Sequence, residues 1–344
     1  MKALVTGANG LIGSNLVKAL LRQGHYVRAF VRQTSNLSNL DGVSVDKAYG
    51  DILEGDTLIN AALGCDFLFH VAGIFSYSTK SDELMTVAKA GTLNALKAAK
   101  QAGVKKIVLT SSSVVFGSTS NRTILDVDKK VTDPDPSPYV ISKILQEKIG
   151  FERAAELGLN MVAVCPTICI GPHDYGLSES NAIIINYLKD PFRVTWLGGC
   201  NLVSVHDVVQ GHILAANRGK AGMRYLLGSQ NLEWYEIHKT ISELCGIDGP
   251  FVTANHTSSY LAATAHEIIG FLTNKRPFVT RAQAKMVGRY YWYNHDRSSD
   301  IGYVPKRNAR QALANAISWL VKSHHISNSL RNTIKLSQEI YDQR

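Results

Sequence analysis

The 344-residue chain has few cysteines, and their spacing suits neither disulfides nor metal. Cys65, Cys165, Cys169, Cys200 and Cys245 are scattered and odd in number, and no two form a Cys-x-x-Cys pair. That excludes a disulfide framework and a zinc site, predicts no metal, and fits a reducing, cytoplasmic compartment. No apolar run reaches the roughly 18 residues of a bilayer crossing, so no transmembrane segment is expected. Lys2 and the apolar stretch after it imitate a signal peptide. Three glycines with Thr6, Asn9, Ser14 and Asn15 break that pattern. Long Lys/Arg runs and nucleic-acid reader motifs are also missing. The net charge of +9 therefore reads as a solvated surface plus pockets for anionic phosphates, with no nucleic-acid partner.

What is present begins at the first residues. Ala3-Leu4-Val5 reads as a buried strand ending in Thr6-Gly7. Leu11, Ile12, Leu16, Val17, Leu20 and Leu21 recur with helical spacing, Gly24 closes the helix, and Tyr26 to Val31 is a second strand. The segment Gly7-Ala8-Asn9-Gly10-Leu11-Ile12-Gly13 thus sits at a strand-to-helix turn. Gly7 permits the tight turn, Gly10 admits a pyrophosphate to the backbone, and Gly13 lets helix and strand pack closely. The helix N-terminus then presents free N–H groups to the phosphates. The alternation continues. Asp66 to Val71 is a strand, Ser81 to Ala102 a long helix, and Lys106 to Thr110 a strand. Pro138 to Leu157 is a helix and Met161 to Cys165 a strand. Such a pattern predicts an α/β protein with a doubly wound parallel sheet.

After Pro166 the rhythm degrades into glycine- and proline-punctuated segments. Val203 to Val208 and Tyr225 to Leu227 read as strands, and Ala309 to Val321 as a surface helix. The expected organisation is a dinucleotide-binding domain over 1–170, with segments returning around 200–230. A smaller, irregular substrate lobe over 171–321 and a polar tail over 322–344, helical in part or frayed, would follow.

NAD sites usually carry an acid at the end of the second strand for the ribose 2′-hydroxyl. This chain has Arg32 there and no acid. A guanidinium can clamp a 2′-phosphate, so NADP(H) is the preferred cofactor. An Arg32 that only stacks on adenine or faces solvent would leave NAD(H) open. Near mid-chain, Tyr139-Val140-Ile141-Ser142-Lys143 places a phenol and an ammonium one helical turn apart. A lysine can stabilise phenolate and lower a pKa that is otherwise near 10, making the tyrosine a proton donor to a carbonyl oxygen. Thr110, Ser111, Ser112 and Ser113 supply hydroxyls at the preceding strand end, and one of them can polarise that oxygen.

The Gly-x-x-Gly-x-x-Gly spacing, the Tyr-x-x-x-Lys pair and their order resemble the extended short-chain dehydrogenase/reductases of the NAD-dependent epimerase/dehydratase family. Within it the chain is similar to dihydroflavonol-4-reductase-like reductases, and to hopanoid-associated sugar epimerases through Leu63-Gly64-Cys65-Asp66 to His70 and Asn201-Leu202-Val203. The resemblance covers roughly Met1 to Leu320. It implies a Rossmann-type fold, and through Val115-Phe116-Gly117 it favours Ser112 over Ser111 beside Tyr139 and Lys143. It also implies cofactor contacts from Asp51 and Ile52 near the adenine. Val71, Ala72 and Gly73 would lie under the ribose, and Thr110, Ser111, Pro166, Thr167 and Gly171-Pro172 near the nicotinamide. Asp51 is equally readable as a helix cap. His206 and Asp207 match a family strand written with His and Asp, and placement at a helix start, Asp207 capping, is their favoured role. Dimers are common in the family, and helices 81–102 and 138–157 would form a possible homodimer surface.

Nucleotide-sugar epimerases carry an arginine before that strand and another in a later Arg-x-Gly-Asp segment. This chain has Cys200-Asn201-Leu202 at the first place and lacks the second motif. Arg276, Arg281 and Arg289 are the remaining candidates for a sugar diphosphate. The departure favours a reductase acting on a ketone or aldehyde with an apolar body, its pocket lined by Phe75, Tyr77, Phe116, Tyr175 and Trp196. A nucleotide-sugar epimerase or dehydratase is the alternative.

Overall fold

The computed structural model of the chain describes residues 1–341 apart from 78, 134 and 275–278. The first half gives β1 (Lys2–Thr6), α1 (Leu11–Arg22), β2 (Tyr26–Val31), β3 (Asp46–Tyr49), α2 (Gly55–Ala62) and β4 (Phe67–His70). It continues with α3 (Ser81–Thr86), α4 (Thr92–Ala102), β5 (Lys106–Thr110), α5 (Pro138–Glu156) and β6 (Met161–Pro166). The second half adds β7 (Ile168–Ile170), α6 (Glu179–Lys189), β8 (Val194–Trp196), β9 (Gly199–Ser204), α7 (Val205–Arg218), β10 (Arg224–Leu227) and β11 (Gln230–Glu233). It ends with α8 (Trp234–Cys245), β12 (Val252–Ala254), α9 (His256–Thr273), α10 (Arg281–Ala284), β13 (Tyr290–Tyr291), α11 (Ala309–Leu320), α12 (Asn328–Thr333) and α13 (Gln338–Tyr341).

Seven strands form one parallel sheet in the order β10-β6-β5-β4-β1-β2-β3. The strand order reverses between β1 and β4, and an open α/β sheet leaves its ligand crevice at such a point. Both faces of the sheet are buried. Val5, Val108 and Val164 lie in a cluster with Leu16 of α1 and Val208 of α7. Leu4, Leu68 and Ile107 lie in another with Leu58 of α2 and Leu96 of α4. A third core joins Ile184, Ile237 and Leu313 of the second half. Beside the main sheet, β9 pairs with β7, β11 and β13, and β12 pairs with β8.

The structure changes three sequence expectations. The helix over 81–102 is interrupted by a π-helical stretch, Val87–Gly91. There Gly91 lets Ile52 approach so closely that an added Cβ would sit 2.7 Å from its Cδ1. The strand expected to reach Val208 ends at Ser204, whose hydroxyl accepts from the His206 amide and caps α7. Asp207 is therefore not the cap; its carboxylate accepts from the amides of Lys306 and Arg307 at 3.0 and 3.1 Å. Of the two expectations for the tail the helical one holds, in α12 and α13, and its described part is packed rather than frayed: Ile326 is 2% exposed and Leu330, Ile334 and Leu336 lie against the core. Ile326→Ala should therefore lower the unfolding free energy by about 2–4 kcal/mol, read from the urea midpoint; an unchanged midpoint would mean the tail contributes nothing.

Candidate functional site

One large cavity, about 1670 Å³, runs from the switch point of the sheet to α9 and α10. Its floor is the glycine turn. Gly7 has φ +63°, and a Cβ there would lie 2.8 Å from the Ala72 Cα; one on Gly13 would lie 2.1 Å from the Gly7 carbonyl oxygen. Backbone from β1, α1 and the β4 end thus meets where no side chain fits. The Thr6 hydroxyl ties this together, accepting from the Ala72 amide at 3.1 Å and bonding His70 Nδ1 at 3.0 Å. Burial holds that imidazole down to about 4, so it is neutral.

The N-cap of α1 is Gly10, without a side-chain cap, and its first turn carries no acid. Those N–H groups remain for an anion. Arg32 lines the same end of the cavity, is exposed, and carries no ion pair among the described residues. The donor set suits a dinucleotide pyrophosphate with a further phosphate nearby. Asp51 and Ile52 line the cavity too. Asp51 Oδ1 accepts from the Leu53 amide and does not cap α2, whose N-cap is Glu54.

At the other end of the crevice, Tyr139 and Lys143 project from successive turns of α5, whose start is capped by Ser137 with Pro138 in its first turn. Both are buried, 5% and 9% exposed. Burial pushes the Tyr139 phenol up to about 12, and a hydrogen bond from the Ser112 hydroxyl opposes it. Burial pulls the Lys143 ammonium down to about 8, opposed by Glu147 and Cys165. The ammonium donates to the Thr110 carbonyl at 3.2 Å and to Gln146 Oε1 at 2.9 Å. Burial, not the lysine, thus dominates at the phenol and holds it above its usual range. Ser112, 9% exposed, sits where β5 turns into the 3₁₀ stretch Ser113–Phe116.

Thr110, Ser111, Ser112, Val71, Ala72, Gly73, Pro166 and Thr167 all border this cavity with Asn9, Leu11 and Ile12. Of the aromatic candidates, Phe75, Tyr77 and Trp196 line it. Phe75 and Tyr77 flank the Tyr139 ring at 5.0 and 5.7 Å between centroids. Phe116 does not line it; it is 1% exposed and packs edge-on against Tyr293 in the core. Tyr175 does not either, because its ring rests on Trp319 and His324. Gly171 and Pro172 lie behind the wall, where the Pro172 carbonyl accepts from Asn15. His206 and Asp207 are outside the cavity.

Sequence reasoning missed the far wall: Tyr187, Val194, Trp234, Val252, Ala262 and Met286. No motif marks them, since they are drawn from α6, β8, α8, β12, α9 and the turn after α10 with no common spacing. Arg32 and Lys143 are the sole lysine or arginine among the described lining residues, and neither belongs to this wall. Arg281 is paired with Glu267 at 2.6 Å, and Arg289 donates to the Ser118 hydroxyl and carbonyl. Arg193 donates to carbonyls at the end of α6. Arg276 lies outside the described residues.

A family model described as the NAD dependent epimerase/dehydratase family matches residues 3–228. The chain belongs to this family. A Synechocystis protein carrying the name dihydroflavonol 4-reductase is 32% identical, over 92% of this chain and 93% of its own. Sterol demethylase protein B of Methylococcus capsulatus is 30% identical, over 93% and 98%. The crystal structure of gox2253 superposes with a TM-score of 0.82 at 31% identity, covering 94% of this chain and 99% of that one. The chain is thus an oxidoreductase/epimerase family enzyme with reductase homologues and a Rossmann-like α/β fold. Among the described residues no helix is long and apolar enough to cross a membrane.

If the glycine turn is the pyrophosphate seat, Gly7→Ala should weaken NADPH binding at least about tenfold, through strain at positive φ and the clash with Ala72. Fluorescence titration measures it, with a cooperative melting curve showing that the fold is kept.

Proposed function

We propose that the chain is an NADP(H)-preferring oxidoreductase that reduces a ketone or aldehyde on an uncharged, largely apolar small molecule, with Tyr139 as proton donor. The observation that carries this reading is the polarity of the cavity. Among the described lining residues Arg32 stands at the cofactor end and Lys143 beneath Tyr139, while the far wall mixes aromatic and aliphatic side chains with neutral polar ones such as Asn186, Ser258 and Gln283, with His266, and with the carboxylates Glu179 and Asp190. A nucleotide-sugar diphosphate would find no lysine or arginine there among the described lining residues.

The roles follow from the chemistry of each group. The Gly7–Gly13 turn and the start of α1 would hold the pyrophosphate, and Arg32 the 2′-phosphate. Lys143 would hold the nicotinamide ribose. The bound dinucleotide supplies the hydride. Ser112 donates a hydrogen bond to the substrate oxygen as charge develops on it, and Tyr139 delivers its proton there. A phenol held near 12 is fully protonated at neutral pH, the state a donor needs. Relatives named for dihydroflavonol reduction and sterol demethylation support an apolar substrate body. A nucleotide-sugar epimerase or dehydratase would use the same tyrosine and lysine. It would be supported by stoichiometric NAD released on denaturing the purified protein.

Buried, unpaired Cys65, Cys165, Cys169, Cys200 and Cys245 fit a reducing cytoplasm. Exposed Ile141 and Ile144 on α5 offer a face for a homodimer.

Tyr139→Phe should reduce turnover at least about a thousandfold while NADPH affinity stays within twofold; retained turnover would remove the proton-donor role. In steady-state assays with both cofactors, Arg32→Ala should raise KM for NADPH about tenfold or more and leave NADH nearly unchanged. Equal effects on the two would assign Arg32 no part in phosphate recognition. The Lys143 ammonium, protonated below about 8, should make reduction fall as pH rises through that region, with the phenol still protonated.

A further inference from the structure

We propose that Gln146 is a positioning residue for Lys143: its side-chain oxygen holds the ammonium in place and sets the pH at which that ammonium gives up its proton. The inference rests on the reading of Tyr139 and Lys143 as the acting pair. An ammonium has three donors and no acceptor. Two are engaged, by the Thr110 carbonyl at 3.2 Å and by Gln146 Oε1 at 2.9 Å, which leaves one for the cavity. The partner must be the amide oxygen, because the amide nitrogen has nothing to accept with. Gln146 is 2% exposed. Gly73 closes the other side, where an added Cβ would come within 3.4 Å of Nζ.

Against burial, Glu147 and Cys165 raise the proton affinity of the ammonium, and Gln146 adds a side-chain acceptor in direct contact with Nζ. On α5 the charged neighbour is Glu147, already bound to Arg224 of β10 at 2.7 Å. From β6, the Cys165 thiol donates to that same carboxylate at 3.4 Å. From the end of β4, neutral His70 is close enough for its own proton affinity to feel the ammonium. From α3 and the π-helical stretch come Leu84, Val87 and Ala88, all apolar. Thr110 on β5 offers a fixed backbone carbonyl. Gln146 is therefore the neutral side-chain acceptor on Nζ, and a hydrogen bond to a charged group buried here shifts its titration by about one pH unit.

The test compares the full-length protein with Gln146→Met, which keeps the volume and removes the acceptor, and Gln146→Glu, which keeps the shape and adds charge. NADPH oxidation with 9,10-phenanthrenequinone as an apolar carbonyl probe is followed from pH 6 to 10. The midpoint of the falling limb should move down by about one pH unit in Gln146→Met and up by about one or more in Gln146→Glu, with KM for the quinone little changed. A packing role alone would move both variants the same way or leave the midpoint fixed, and either result overturns the proposal.

A second readout needs no substrate or cofactor. The folded ammonium titrates near 8 and the unfolded one near 10.5, so the unfolded chain binds more protons between these values and stability rises with pH there. In urea unfolding that rise should begin about one pH unit lower in Gln146→Met, and the difference should vanish in a Lys143→Met background. A difference that persists in that background also overturns the proposal. If Tyr139→Phe keeps its turnover, the proton-donor reading falls while the urea experiment still decides the role of Gln146.

Discussion

A lysine ammonium kept almost out of water at the end of a parallel sheet is the constraint on which the site depends. Such a charge is unfavourable in a protein interior unless its donors are matched. The matching groups come from elements that the fold must bring together: the Thr110 carbonyl at the end of β5 and Gln146 one turn further along α5. Behind them the Glu147–Arg224 pair ties α5 to β10 at the sheet edge. The ammonium therefore reports on the docking of α5 against β5 and β6. Tyr139, one turn earlier on the same helix, inherits its position from that docking.

The nucleotide end depends on the opposite device, the absence of side chains. Gly7 and Gly13 permit contacts that a Cβ would forbid, and Thr6 and His70 stitch β1 to the segment after β4 across the switch point. The segment after β7 is strapped over this seat by Asn15 and Asn39, which bond the Pro172 carbonyl and the Tyr175 amide. His325 reaches the Asp174 carbonyl from the tail at 3.2 Å. The described tail thus belongs to the packing around the site.

Legibility in the sequence followed the physics of each part. The glycine turn and the Tyr-x-x-x-Lys pair are local: spacing along one turn or one helix face carries them, and their residues border one cavity. Phe116 and Tyr175 were misplaced because an aromatic side chain near a motif looks the same whether it lines a pocket or fills a core; its exposure is decided by Tyr293 and Trp319, far away in sequence. The π-helical stretch left no mark because one extra residue keeps helical residue types in place. Ser204 did leave one: the run Ser204-Val205-His206-Asp207 reads as a helix start, and extending the strand to Val208 overlooked it. The far wall was illegible since its residues come from six elements scattered over about a hundred positions, with no shared spacing.

That wall also shows which evidence discriminates between substrates. Aromatic side chains such as Trp196 and Trp234 would stack on a uracil as readily as on a polycyclic carbonyl compound, so their presence favours neither. Charge does discriminate. A carboxylate and a phosphate about 4 Å apart repel by about 4 kcal/mol at the effective dielectric near a protein surface, and Asp190 borders this part of the cavity. Among the described residues, the arginines near this wall already have partners: Arg281 with Glu267, Arg289 with Ser118, and Arg193 with the end of α6. A diphosphate would have to break those contacts to gain any of these three as a counter-ion. A neutral ketone or aldehyde needs only the Ser112 hydroxyl and the Tyr139 phenol at its oxygen, so the chemistry that suits this cavity is the one that brings no charge of its own.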